Sequence, residues 1–506
     1  MNSFATRFVS SIIDAAIKNE TQKFNKFGLL LGKSGFDFKK YQFNGVKWCV
    51  QNEVKSGSIT PVLFEKSNGS IKGGIIADEM GLGKTILMIG TMFMNFLPKT
   101  IIVVPPILID QWANEIYKSS GHKALVYYGI KKASIGSEEL AKACIVITSY
   151  NTLLPNHSKK NSNILFGVKW DRIIFDEAHH LRNARTTRFA SCKQLVAPIK
   201  WLVSGTPIQN KLSDFYSLCN MLGFKPEFYK NIDNVDYIIH NHILRRTKAD
   251  VGIELPPVNI QNIIVPWKSI NEKILSEEIH SLIPNQTGVS YSKGNAVADL
   301  IAGDGRSVIL RAILRARQSC VLPALMKTSI QSCISADKTG VYLDALEYTS
   351  KLDAVVKVML ERKYNGKGKI VFCHYIDEID MIAKRLRDGG MSKVVTYDGR
   401  NSGPSSKLAE SADAIVLQIQ TGCEGLNLQK FFSEIYFVSP HWNPAVEDQA
   451  IARCHRIGQI SEVNVFRFEM DGFDKGADQD FIPITLDKYV SKVQGGKRDI
   501  ALSLLC

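Results

Sequence analysis

A chain of 506 residues is too long for a single hydrophobic core, so two or more domains are expected. With 45% hydrophobic and 22% charged residues it reads as soluble and globular, which excludes a disordered or fibrous chain. The formal net charge of +14 suits a polyanionic partner, nucleic acid first; the plain alternative is a basic but ordinary surface.

No two of the ten cysteines lie within three residues of each other. That excludes a Cys-x-x-Cys zinc framework and suits reduced thiols in a cytosolic or nuclear compartment. From the N-terminus, Phe4, Phe8, Ile12, Ile13, Ala16 and Ile17 recur at helical spacing and predict an amphipathic helix over residues 3–26, packed on the main body. Arg7 and Asp14 interrupt its apolar stretch and no cleavage site follows, so no signal peptide is expected. No run approaches the ~18 apolar residues of a membrane span.

Gln42 lies upstream of a glycine-rich turn. A glutamine there can read adenine through paired amide hydrogen bonds, or stand as an ordinary helix-surface residue. The turn itself is Asp78-Glu79-Met80-Gly81-Leu82-Gly83-Lys84-Thr85, set between the apolar runs Gly74–Ala77 and Ile86–Ile89. This predicts strand, tight turn and helix start, an arrangement that aims backbone N–H groups and the positive end of a helix dipole at one point. Gly81 and Gly83 admit a phosphate without a Cβ in the way. Lys84 can reach the β- and γ-phosphates, and the Thr85 hydroxyl can ligate Mg²⁺. Asp78 occupies the first glycine position of the strict phosphate-loop pattern, a departure from it.

Short apolar strands then alternate with helical stretches: Thr100–Val104, Cys144–Thr148, Arg172–Phe175 and Trp201–Ser204. Each ends in a polar or glycine-rich turn, which predicts a parallel α/β sheet with ligands at the carboxyl ends of its strands. Asp176-Glu177-Ala178-His179 follows one of these strands, 92 residues after Lys84. Asp176 is assigned to Mg²⁺ and Glu177 to the attacking water; the alternative is an acidic pair at a helix N-terminus. His179 and His180, being adjacent, point apart and make a poor metal pair.

Residues 211–340 read as helical, with a Gly/Ser/Asn-rich break at 285–307. A second α/β segment begins near Lys351, with strands Lys369–Cys373, Ala414–Ile419 and Glu434–Val438. Beyond it, Gln449, Arg453 and Arg456 stand at i, i+4 and i+7, which on a helix share one face. A permanently charged guanidinium suits a γ-phosphate gaining charge in the transition state; a basic helix face on solvent or nucleic acid is the alternative.

In this order the motifs resemble the SWI/SNF-type DNA translocases, a branch of the superfamily 2 helicase-like ATPases. Tyr41-Gln42 is similar to the family's adenine-reading segment, and Asp78–Thr85 to its phosphate loop, the aspartate included. Val104–Leu108 with Gln111, Trp112 and Glu115, then Thr148-Ser149-Tyr150, the DEAH box Asp176–His179, Ser204–Asn210, Leu244–Lys248, Leu255-Pro256-Pro257, Arg315–Cys320, Ser350-Lys351-Leu352, Gln420–Leu428 and Trp442-Asn443-Pro444 continue the match. Cys423-Glu424 and the short stretch Arg400–Lys407 depart from it. The sub-assignment leans to the helicase-like-transcription-factor branch, of which small stand-alone versions occur in large DNA viruses.

The resemblance implies an α/β fold of two RecA-like parallel-sheet lobes with helical insertions between them and a C-terminal brace helix. The expected divisions are a helical extension over 1–35, lobe 1 over 36–240, a helical protrusion and linker over 241–345, lobe 2 over 346–475 and the brace over 476–506. It implies ATP and Mg²⁺ as cofactors, with Gln42 and Asp78, Glu79, Met80, Gly81, Leu82, Gly83, Lys84 and Thr85 at the nucleotide. Lys84, Asp176, Glu177, Gln449, Arg453 and Arg456 would carry the chemistry, and Thr85 and Asp176 the metal. DNA would meet Ser149, Tyr150, Thr206, Thr421, Gly425 and Trp442. The implied activity is ATP-driven translocation on duplex DNA, nucleosomal or transcription-complex DNA included, by a monomer without a membrane partner, in nucleus, cytoplasm or a viral compartment. A strand-separating helicase and a non-hydrolysing nucleic-acid-binding scaffold remain the alternatives.

Overall fold

The computed structural model describes residues 28, 32, 39–54, 71–155, 163–207, 211–283, 308–333, 342–398, 400, 412–422, 427–473 and 484–505. The helix expected over 3–26, the N-terminal extension 1–35, the loop 285–307 and Gly425 lie outside them. The chain divides into two compact units, Met1–Glu254 and Leu255–Cys506.

Unit 1 is built on a seven-stranded sheet in the order β3-β4-β2-β5-β6-β1-β7. Its strands are β1 (Lys72–Ile76), β2 (Thr100–Val104), β3 (Leu125–Tyr127), β4 (Ile145–Ser149), β5 (Arg172–Asp176), β6 (Ile199–Val203) and β7 (Ile243–Leu244), and every pairing is parallel. β2, β4 and β5 are buried at every position, the pattern of central strands covered on both faces. Because the strands run together, β1, β4, β5, β6 and β7 deliver their last residues to one edge of the sheet. Helix α1 (Lys40–Val54) packs on helix α2 (Lys84–Met94) beside β1. Helix α3 (Ile109–Ser120) follows β2 and stops at Gly121, whose left-handed φ of 72° lets its N–H close on the Tyr117 carbonyl at 2.7 Å.

A buried charge network fixes α1 to the sheet. Arg172, at the start of β5, donates from Nε and Nη2 to the two carboxylate oxygens of Glu53 at 2.6 and 2.5 Å. Trp201 Nε1 and Asn95 Nδ2 donate to the same carboxylate at 2.8 and 2.7 Å, and Arg172 also donates to the Asn95 carbonyl at 2.7 Å. Both side chains are almost wholly out of water.

Unit 2 has a six-stranded sheet in the order β10-β11-β9-β12-β13-β8, again parallel throughout. Its strands are β8 (Val258–Val265), β9 (Gly368–Cys373), β10 (Val394–Tyr397), β11 (Ala414–Gln418), β12 (Phe432–Phe437) and β13 (Val463–Met470). These two α/β lobes are the fold class the sequence implies. The strands read from sequence recur within two residues at either end; β3, β7, β8, β10 and β13 were not foreseen. β7 and β8 correct the reading of 211–340 as helical insertions without a sheet: β7 pairs with β1 in the first sheet, and β8 pairs with β13 along its full length in the second.

Helix α4 (Ile270–Ser281) and the C-terminal helix α6 (Leu486–Leu505) meet through His280, with helix α5 (Pro444–Ile451) between them in sequence. His280 Nδ1 donates to the Ser276 carbonyl at 2.6 Å, which leaves Nε2 to accept the Leu486 N–H at 2.8 Å. Lys351, buried, pairs with Asp487 and donates to Ser439 Oγ at 3.0 Å.

Two stability predictions follow from these contacts. Glu53→Gln leaves Arg172 charged and without its carboxylate, and is expected to cost about 3–5 kcal/mol in denaturant unfolding. Burial holds the His280 imidazole down at about 4. A depressed folded-state value means that its stabilisation is complete above the ordinary value of about 6.5 and is lost as pH falls toward 4. Moving from pH 7 to pH 5 should therefore cost about 2 kcal/mol, and His280→Gln should flatten that slope in thermal melts.

Candidate nucleotide site

β1 is flanked by β6 and β7, and the turn that follows it is shaped by its glycines. Gly81 and Gly83 take φ of 92° and 80°, the left-handed region that favours glycine. A Cβ on Gly83 would also stand 2.5 Å from Gln42 Nε2. Gln42, buried, donates to the Leu82 carbonyl at 3.3 Å, and the Tyr41 hydroxyl donates to the same oxygen at 3.2 Å. Burial pushes the Tyr41 phenol up to about 12. The adenine-reading candidate thus lies directly against the phosphate loop.

Lys84 opens α2 and folds its ammonium over the loop, donating to the carbonyls of Asp78 at 3.0 Å and Glu79 at 3.5 Å. Gly205, in the turn after β6, comes so close that a Cβ there would lie 3.1 Å from Lys84 Nζ and 2.8 Å from Met80 Cγ. Thr85 is half-buried in the first turn of the same helix.

Asp78 and Glu79 are corrected. Both were expected at the nucleotide, but their carboxylates face the segment after β7. Asp78, 1% exposed, takes a two-pronged pair from Arg246, Nε to Oδ1 at 3.0 Å and Nη2 to Oδ2 at 2.5 Å. Glu79 accepts from Lys248 Nζ and from its backbone N–H, each at 2.7 Å. An aspartate in a buried turn needs a cation, and Arg246 supplies it across 168 residues of sequence. That demand was the signal for Arg246; the Leu244–Lys248 motif contains it but assigns it no partner.

Asp176 ends β5 with its carboxylate buried. Trp112 Nε1 on α3 donates to Oδ2 at 2.7 Å, the Glu177 N–H donates to Oδ1 at 2.9 Å, and the Tyr150 hydroxyl holds the Asp176 carbonyl at 2.7 Å. Burial, with the Glu177 charge second, raises the Asp176 carboxyl to about 7; the Trp112 bond and the Lys84 charge pull the other way. Glu177 has φ 49° and ψ 49°, the one non-glycine positive φ among the described residues, a strain of roughly 1–2 kcal/mol held at the candidate catalytic carboxylate. His179 Nδ1 sits 3.1 Å from Glu177 Oε2, and its ring stacks on His180 at 4.7 Å, so the two adjacent histidines lie side by side and do not point apart as expected. Mg²⁺ prefers one or two carboxylates completed by phosphate oxygens and water, and a buried aspartate at the carboxyl end of β5 fits that donor set.

The other expected site residues fare differently. Ser149 and Tyr150 do not present DNA-contacting side chains: both are buried, the serine hydroxyl is spent on Thr152, and the tyrosine hydroxyl on Asp176. Thr206 is half-buried, its N–H donating to Ser204 Oγ at 3.3 Å. Ile208–Asn210 and Gly425 lie outside the described residues, as does the Thr421 side chain. Trp442 is turned inward, its ring 5.6 Å from the Arg317 guanidinium and 6.1 Å from the Tyr489 ring of α6.

The single helical face expected for Gln449, Arg453 and Arg456 is also corrected. α5 ends at Ile451, and Arg453 and Cys454 close three-residue turns onto Ala450 and Ile451. Gln449 is buried, and Arg456 Nη1 donates to Asn427 Oδ1. Among the described residues, Arg453 keeps a buried Nε with no hydrogen-bond partner.

The family model for the SNF2-related domain matches residues 41–325, more than half of the chain, and that for the helicase conserved C-terminal domain matches residues 350–458. A probable global transactivator of Orgyia pseudotsugata multicapsid polyhedrosis virus is 25% identical over 461 residues, covering 85% of this chain and 86% of that protein. An uncharacterized ATP-dependent helicase of Mycoplasma genitalium is 27% identical over 529 residues, covering 98% of this chain and 45% of its own length. The DNA repair and recombination protein RAD54 of Saccharomyces cerevisiae is 27% identical over 485 residues, 81% of this chain and 52% of that one. The chain therefore spans most of the viral relative and about half of the other two. With a phosphate loop and a DEAH box at the carboxyl edge of one parallel sheet, the chain belongs to the SNF2-related family and to its class of helicase-like, DNA-dependent ATPases.

Proposed function

We propose that the protein hydrolyses ATP to translocate along duplex DNA. The observation that carries the reading is that the turn leading to Lys84 follows β1 and the Asp176–Glu177 pair ends β5 at the same carboxyl edge of one parallel sheet. ATP sits with its phosphates on the Gly81–Lys84 turn and its base toward Gln42. Mg²⁺, held by Thr85 and Asp176, would neutralise the phosphate oxygens. Glu177 orients water and accepts its proton. Arg453 and Arg456 are the candidate arginines whose permanent charge suits a γ-phosphate gaining charge in the transition state. DNA is gripped through its phosphates, without base readout and with strong salt dependence.

ATPase activity is measured without nucleic acid and then with single-stranded DNA, duplex DNA, RNA and nucleosomes. Duplex DNA is expected to stimulate most. Lys84→Ala and Glu177→Gln are expected to abolish turnover, and Arg453→Ala to lower kcat by about 10³ while ATP binding persists. A normal rate in Lys84→Ala or Glu177→Gln would overturn the assignment. Displacement of a triplex-forming strand without unwinding supports translocation, and efficient strand displacement would replace it with helicase action.

A further inference from the structure

Arg246 is tied to the phosphate loop through both its side chain and its backbone. Besides its two-pronged pair with Asp78, its Nη1 donates to the Tyr41 carbonyl and its guanidinium lies 5.4 Å from the Tyr41 ring centre. Its own carbonyl accepts the Glu79 N–H at 2.8 Å, and two residues earlier the Leu244 carbonyl accepts the Ala77 N–H at 2.8 Å. Space for the guanidinium is provided on α1 by Gly45, where a Cβ would fall 2.8 Å from Nη2 and 3.1 Å from Nη1. Three separate pieces of chain therefore converge on one planar cation: the start of α1 with Gln42, the turn after β1, and the segment after β7. Such a cation with fixed donor directions holds geometry that a lysine, with one mobile point charge, does not.

We propose that Arg246 is a positioning residue for the nucleotide: through Asp78 and the Tyr41 carbonyl it sets the spacing between the phosphate-binding turn and the base-facing Gln42. This rests on ATP occupying the Gly81–Lys84 turn. Arg246 touches neither the phosphates nor the attacking water in this scheme. Its loss therefore weakens ATP binding and leaves the chemical step, once ATP is saturating, nearly intact. It also lies eight residues before the boundary between the two units at Glu254, so the chain leaving unit 1 is tied to the phosphate turn just before it departs.

The test uses the full chain and a non-hydrolysable ATP analogue. Arg246→Lys is expected to raise the analogue Kd and the KM for ATP by about tenfold or more, the loss of one charge-assisted hydrogen bond, with kcat at saturating ATP within about twofold of the parent. Asp78→Asn should do the same, and the double variant should cost clearly less than the product of the two single effects. A fall in kcat with KM unchanged, or strictly multiplicative effects, overturns the positioning role in favour of general loosening of unit 1. Unchanged affinity in Arg246→Lys, with Lys84→Ala abolishing binding, overturns the proposal and leaves the ATP site standing. Binding retained in Lys84→Ala overturns the site itself. Thermal melts accompany each variant, and should Arg246→Lys fail to fold, Asp78→Asn carries the same comparison.

Discussion

The pair between Glu53 and Arg172 is the contact from which the first unit takes its geometry. Two charges withdrawn from water are costly, and they are sustained here because every carboxylate oxygen and most of the guanidinium find a partner in Trp201, Asn95 and Thr100. Glu53 stands at the end of α1, and eleven residues back, about 16 Å along the helix, stands Gln42. Arg172 stands at the start of β5, and four residues on stands Asp176. One buried interaction thus fixes one end of each of two elements whose opposite ends carry the base-reading and metal-binding candidates.

Unit 2 is organised by a different kind of contact. Its C-terminal helix is anchored at the N-terminal end by a neutral histidine and a buried lysine, and farther along it meets the stretch that precedes the arginines. Gln494 donates to Glu447 at 2.6 Å, Lys497 donates to the Trp442 carbonyl at 2.7 Å, and Arg498 pairs with Asp448 at 3.0 Å. A helix that the sequence marked only as a terminal brace is therefore built into the support of Trp442 and α5, immediately upstream of Arg453. The inward turn of Trp442 belongs to the same packing.

The sequence made the central strands legible because a strand covered on both faces must be apolar throughout, as Thr100–Val104 and Arg172–Phe175 are. It concealed β8, whose exposed Asn259, Gln261 and Asn262 follow from its place at a sheet edge. The glycine turn and the DEAH box were readable because their chemistry is local. The roles of Arg246 and Trp112 were not, since each depends on a partner many residues distant. The helical face drawn through Gln449, Arg453 and Arg456 failed because spacing alone carries no stop signal, and the chain turns at Ile451 to bury Cys454. The resemblance of Thr148-Ser149-Tyr150 to a family motif assigns Tyr150 to DNA, while its hydroxyl is committed to the backbone of Asp176.

The aspartate at position 78 constrains how this protein can change over time. Replacing Asp78 alone strands an arginine inside the fold, and replacing Arg246 alone strands a carboxylate. Either single replacement leaves one charge of the pair without its partner, so the cost of changing one position depends on the residue at the other. Gly45 is drawn into the same bargain, since only a residue without a side chain leaves room for the guanidinium. A phosphate loop with glycine in place of that aspartate has no need of the arginine or of the gap on the helix. Three distant letters of the sequence thus form one inherited character, and a search that treats the loop as an eight-residue word overlooks two thirds of it.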